Sequence, residues 1–212
     1  RAGHMSSANI VLPYRKEVQK PLAAASGLDI TLIAPAHGLI WRRHIDKILA
    51  AYADWAAWKP ARKVVVIYDT MWESTATMAK AILDGANSVD GVQTKLIAIR
   101  NSNLTRIVTE IFDAASVAFG SSTLNQGMMP MAGAVLTYLK GLRPLNTAGF
   151  AFGSYGWGRG GPEAVDEALK EMKWDILRDP LKSQFRPTDE ALAECRATGI
   201  LLAEKAIAMT EN

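Results

Sequence analysis

Lys63-Val64-Val65-Val66-Ile67-Tyr68, followed at once by Asp69-Thr70-Met71-Trp72-Glu73-Ser74-Thr75, decides the fold of this chain. Within the first six, Val64 to Ile67 form a continuous apolar, β-branched run with no polar alternation. Such a run belongs to a strand buried on both faces, which is the habit of parallel sheets covered by helices. The next seven lead into a helix from about Thr75 to Gly85, with Met78, Ala81, Ile82 and Gly85 on its inner face.

Downstream the same unit repeats. Thr94–Ile99 reads as a second strand, and Leu104, Ile107, Val108, Ile111 and Phe112 form a helical stripe. Ser116–Gly120 is a third strand. A helix from Pro130 to about Lys140 has proline in its first turn and Gly141 past its end, the favoured asymmetry. Thr147–Phe152 is a fourth strand, Pro162–Met172 a helix, and Trp174–Leu177 a short fifth strand. The last helix starts at Thr188 as N-cap and aligns Leu192, Cys195, Gly199, Leu202 and Ala206. This alternation predicts an α/β three-layer sandwich: a five-stranded parallel sheet with helices on both faces. Ligands of such sheets lie beyond the carboxyl ends of the strands, at the point where strand order reverses.

Upstream the pattern is weaker. Residues 1–5 (RAGHM) read as an expression-tag remnant, and 6–58 as a segment too poor in elements to bury a core alone. It holds a helix around Arg15–Ala25 that Pro21 should disturb and a short strand at Leu28–Ala34. The loop Pro35-Ala36-His37-Gly38 follows. An amphipathic helix then carries Ile45, Ile48, Leu49, Tyr52, Trp55 and Ala56 on one face, which invites self-association. Residues 60–212 make the main domain. The chain of 212 residues is 49% hydrophobic and 21% charged, ordinary globular composition. No apolar run reaches the ~18 residues a membrane helix needs, and no signal-peptide pattern opens the chain. A net charge of +3 without a basic, aromatic-interleaved stripe argues against nucleic acid. One cysteine, Cys195, excludes an internal disulfide and a thiolate cluster within one chain, and fits a reducing cytoplasm.

Three loops at the expected binding edge carry chemistry. Asp69–Thr75 offers three hydroxyls and a row of backbone N–H groups at a helix N-terminus, suited to a phosphate monoester. It has neither the Walker lysine nor a G-x-G-x-x-G, which weakens the nucleoside triphosphate and dinucleotide readings. Ser121–Pro130 is long for a strand-to-helix connection and rich in hydrogen-bonding groups, with Gly127 free to turn. Gly153–Gly161 sets Tyr155 and Trp157 among five glycines, an arrangement for stacking rather than packing. A phosphate cradle, a polar clamp and aromatic platforms on one edge agree on FMN. For each loop alone, the plain alternatives are a capped helix start, a solvated turn and a mobile loop.

Tyr68-Asp69-Thr70-Met71-Trp72-x-Ser74-Thr75, Gly120-Ser121-x-Thr123-Leu124-Asn125, Tyr138–Leu142 and Phe152–Trp157 together resemble the flavodoxin domain of flavodiiron proteins, or A-type flavoproteins. Residues 9–42 resemble the end of the metallo-β-lactamase-like domain that precedes it. The resemblance implies FMN. Its phosphate would sit on Thr70, Met71, Trp72, Glu73, Ser74 and Thr75. The ring would lie between Ser122, Thr123, Leu124, Asn125 and Gly127 on one side and Ser154, Tyr155, Gly156, Trp157 and Gly158 on the other. Glu73 departs from ordinary flavodoxins, which often have glycine there, and should offer only its backbone N–H. His37 resembles the last diiron ligand of the family. With only His37 and His44 outside the tag remnant, a full diiron set is missing, so diiron belongs to the full-length parent alone.

The resemblance further implies an electron-transfer module of a dioxygen or nitric oxide reductase, homodimeric, with rubredoxin or a flavin reductase as donor. No independent turnover is expected of this chain. An FMN-dependent NAD(P)H quinone or flavin reductase is the nearest alternative. A receiver-type module is disfavoured, because the third strand ends Phe119-Gly120-Ser121 without a phosphoacceptor aspartate. A flavin-free interaction domain is the remaining alternative.

Overall fold

A computed structural model describes residues 2–211. Strand β1 (Ala61–Asp69) is the hub: Val64, Val65, Val66 and Ile67 are fully buried, as a strand covered on both faces must be. It pairs in parallel with β2 (Gln93–Ala98) on one side and β3 (Ala114–Ser121) on the other. Beyond β3 lies β6 (Ala148–Tyr155), again parallel. Between β3 and β6, a small hairpin of β4 (Thr123–Leu124) and β5 (Gly127–Met128) stands apart from the sheet.

The expected fifth strand is divided. β7 (Asp175–Ile176) pairs with the start of β6, and β8 (Leu181–Gln184) with its end, from Phe152 to Tyr155. The sheet therefore has six strands rather than five. Pro180 explains the break: it has no N–H for the ladder, and the chain leaves β6 after Ile176 and rejoins it one residue past the proline.

The order β2-β1-β3-β6-β7 is flavodoxin-like, with the reversal between β1 and β3. Side-chain alternation divides the core. Val65, Ile67, Val117 and Phe119 face α5 (Leu104–Ile111), α6 (Pro130–Leu142) and α7 (Gly161–Glu171). Val64, Val66, Phe150 and Phe152 face α4 (Ser74–Asn87) and α8 (Asp189–Ala208). These last two helices cross at glycines: a Cβ on Gly85 would lie 1.9 Å from the Arg196 carbonyl oxygen, and one on Gly199 2.0 Å from that of Ile82. Among the described residues no helix is long and apolar enough to cross a membrane.

The leading segment docks on the α5 side of the sandwich. Residues 2–5, expected as a tag remnant, fall in a helical turn, α1 (Ala2–Ser6), and the His4 ring lies 5.2 Å from both Trp55 and Phe112. Ala8 and Leu12 join the main core. α2 (Arg15–Ala25) runs through Pro21, which removes one backbone donor without ending the helix. The apolar face of α3 (Ile45–Ala56) is partly covered from within: Ile48 and Ala56 are buried, and Trp55, half-buried, packs edge-on against Phe112. The expected strand at Leu28–Ala34 is reduced to one antiparallel bridge, Ile33 with Trp41. It lies beside no sheet edge, and Leu28 and Leu32 are exposed.

Candidate cofactor site

The loops after β1, β3 and β6 meet at the carboxyl edge of the sheet around a cleft of about 770 Å³. That size falls within the ordinary range for small-molecule sites. Hydroxyls lock the three loops together beneath its floor. Thr75 Oγ1 lies 2.9 Å from both Ser122 Oγ and Ser154 Oγ, and also accepts the Ser154 N–H at 3.2 Å. Thr75 is fully buried, so this cluster is part of the scaffold.

Each loop is then fixed by its own chemistry. The first turns at Glu73, which is left-handed (φ 65°) and whose carbonyl accepts from Thr77 N–H at 2.8 Å. A glycine would suit that conformation without strain. Behind it the buried Asp69 accepts from Arg100 Nε at 2.8 Å, while its second carboxylate oxygen and the Thr70 hydroxyl are buried without a partner. The second loop closes its hairpin on Asn125 (φ 48°) and Gln126 (φ 63°). The expectation that Gly127 supplies the turning freedom is corrected: two polar residues take the left-handed positions, as a two-residue hairpin turn demands.

The third loop is tied back at its end. Gly161 N–H donates to Thr123 Oγ1 at 3.0 Å, and Gly160 N–H to Glu163 Oε2 at 3.2 Å. Burial alone would raise the Glu163 pKa, but the Lys182 ammonium at 2.8 Å and the Gly160 N–H hold it below the usual carboxylate range. Gly160 has no room for a side chain: at φ 138° its Cβ would meet the Gln126 carbonyl oxygen at 2.0 Å. Second and third loops thus press together backbone on backbone, leaving Trp157 96% exposed beside the cleft. Across from it Trp72 is 84% exposed. Large exposed aromatics on both sides of an otherwise built cleft mark it as a binding site.

The flavodoxin family model matches residues 66–199, the span that contains all three loops. The chain belongs to the flavodoxin family. Its relatives include the nitric oxide reductase of Moorella thermoacetica, 38% identical over 201 residues, which cover 93% of this chain and 50% of that protein. The rubredoxin-oxygen oxidoreductase of Megalodesulfovibrio gigas is 37% identical over 185 residues, 85% of this chain and 46% of that one. The crystal structure of the flavodiiron protein from Giardia intestinalis superposes with a TM-score of 0.91 at 34% identity, over 98% of this chain and 52% of that one. The chain spans about half the length of the curated relatives it matches. It is a flavodoxin domain related to the flavodiiron nitric oxide and oxygen reductases.

Most of the residues named from sequence come together in this flavodoxin domain. Met71, Trp72 and Ser74 line the cleft, as do Ser122, Thr123, Leu124 and Asn125. So does the whole run Ser154 to Gly158. Thr70, Glu73, Thr75 and Gly127 do not: Thr75 is turned into the hydroxyl cluster, and Gly127 sits in β5. Gln126, Phe185 and Arg186 line the cleft although sequence reasoning did not select them. Gln126 was within reach, as the neighbour of Asn125 in a two-residue turn. Phe185 and Arg186 follow β8, whose Leu-Lys-Ser-Gln carries no strand signature. His37 is exposed, and among the described residues no group of three or more His, Cys, Asp or Glu side chains is placed to hold a metal.

Proposed function

We propose that this chain binds FMN and serves as the electron-transfer module of a flavodiiron-type oxygen or nitric oxide reductase of about twice its length. The observation that carries the reading is the cleft: hydroxyl-rich at one end, apolar and aromatic across the middle, polar along the hairpin.

The residues present fit the group. At the phosphate end, the Thr70 hydroxyl is buried and without a partner beside the first turn of the fourteen-residue α4. The first N–H groups of a helix have no intrahelical acceptors, and its positive end favours an anion. Thr70, Ser74 and the N–H groups of Trp72 to Thr75, that of Glu73 included, would hold the phosphate. The carboxylate behind them, Asp69, is offset by Arg100 at 2.8 Å. Leu124, Tyr155 and Trp157 would hold the ring, and Asn125, Gln126 and Gly156 its polar edges. FMN, when bound, supplies reversible one- and two-electron transfer.

In the parent, rubredoxin or a flavin reductase would donate, and a diiron centre on the facing subunit of a homodimer would accept. A cytoplasmic location agrees with the single cysteine. Oxygen or nitric oxide turnover is therefore not expected of this chain alone.

The test is an absorbance spectrum after loading with FMN and removing the excess. Twin flavin bands should stay with the protein and weaken in Trp157→Ala. Riboflavin, which lacks the phosphate, should bind at least about tenfold less tightly, the worth of one charge-assisted hydrogen bond. Equal retention of both would sink the phosphate assignment, and retention of neither would sink the flavin reading. Rapid NADH or NADPH oxidation by the loaded chain would favour the quinone-reductase alternative.

A further inference from the structure

Phe185 is the most conspicuous backbone outlier at the cleft. It follows β8 directly with φ 55°, a conformation in which a bulky side chain is rare and strained. The strain is not offset by burial, because the ring is 52% exposed. What holds the residue is the third loop. Phe185 N–H donates to the Tyr155 carbonyl at 2.7 Å, and Gln184 Nε2 to the Gly156 carbonyl at 3.1 Å. The ring then does two things. It meets Trp157 edge to face, with centroids 5.8 Å apart and planes at 80°. It also covers Gly156, where a Cβ would lie 3.4 Å from its Cε1.

We propose that Phe185 is a positioning residue for the flavin: its ring sets the plane of Trp157 and the path of Gly156, and so the stacking surface offered to the cofactor. The proposal rests on the FMN reading above. A strained, half-exposed phenyl ring would contribute little to folding alone, whereas Trp157 is an exposed ring flanked by glycines, and Phe185 is the aromatic ring paired with it. Tilted aromatic pairs of this kind hold each other's orientation.

The experiment compares wild type with Phe185→Gly, Phe185→Ala and Phe185→Tyr. It reads FMN dissociation constants, the absorbance maximum of the bound flavin, and melting temperatures without flavin. Glycine and alanine should both weaken FMN binding about tenfold, the scale of one aromatic pair, and shift the absorbance maximum. Tyrosine should bind within twofold of wild type. Glycine relieves the left-handed backbone, so its flavin-free melting temperature should equal or exceed that of alanine despite the same loss of affinity. Wild-type affinity and spectrum in the glycine variant would overturn the proposal, as would a tyrosine variant as weak as alanine. Failure of the wild type to retain FMN would overturn the flavin reading and this assignment together. Tight wild-type binding with unchanged variants would overturn this assignment alone.

Discussion

At the residue scale, Thr75 separates what a motif suggests from what a structure uses. Sequence reasoning gave it to the phosphate, as the last hydroxyl of the first loop. The fold instead turns it inward, 2.9 Å from Ser122 and Ser154, where its oxygen joins all three loops. Thr75→Val keeps the shape and removes the hydroxyl, leaving buried partners on two other loops unsatisfied. Such a loss costs about 1–3 kcal/mol. The variant should lose that much stability in urea titration and bind FMN more weakly, because the loops it joins are those that form the cleft. Unchanged stability with weakened binding would return Thr75 to direct contact with the cofactor. The residue types of the first and third loops were legible because a buried strand leading into hydroxyls, and aromatics among glycines, serve few other purposes. The direction in which each hydroxyl points was not legible, since it is set by loops far apart in sequence.

At the element scale, the crossing of α4 and α8 illustrates a packing constraint that periodicity only half reveals. The inner faces of both helices were readable, Gly85 and Gly199 included. What periodicity does not say is that these two glycines bring the backbones into contact, each with a carbonyl oxygen of the other helix where a methyl group would stand. Gly199→Ala must therefore separate the helices. Overpacking of this kind typically costs 1–3 kcal/mol, occasionally more, and the urea midpoint should fall accordingly. Because Gly85→Ala pushes on the same crossing, the double variant should lose less than the sum of the two. Additive losses would show that each helix yields on its own. β1 stood out through its β-branched run from Val64 to Ile67, and β3 and β6 through short apolar stretches that the sheet buries completely up to Ser154. β8 escaped because Leu181–Gln184 alternates buried and exposed residues at the sheet's edge, and its polar members look like loop. With it went Phe185, so the missed wall of the cleft follows directly from a missed strand.

At the scale of the whole molecule, the leading segment and the sandwich are joined through a partly buried charge cluster. Lys63 Nζ at the start of β1 lies 2.9 Å from Glu110 and 3.0 Å from Asp113, and His4 reaches Asp113 at 3.2 Å. Burial alone would raise the Asp113 pKa, but the nearby His4 ring and the Lys63 ammonium outweigh it and hold the carboxyl below its ordinary 3.8. Glu110 is lowered on the same pattern, with Lys63 outweighing burial. A carboxyl depressed in the folded state binds its proton more readily when unfolded. It therefore contributes stability that is complete above the ordinary pKa and is lost as pH falls through the folded one. Acid should accordingly loosen the chain below about pH 4, starting at the contact between residues 2–14 and α5. In Asp113→Asn this titration is gone. The variant should be less stable than the wild type at pH 7, and its urea midpoint should fall less steeply between roughly pH 4 and 2. FMN retention at pH 7 should be unaffected, because the cluster sits at the amino end of β1 while the cleft sits at the carboxyl end. A wild-type slope preserved in the variant would place the acid lability elsewhere. A variant that also dropped FMN would mean that the docked segment and the binding edge are coupled through the sheet.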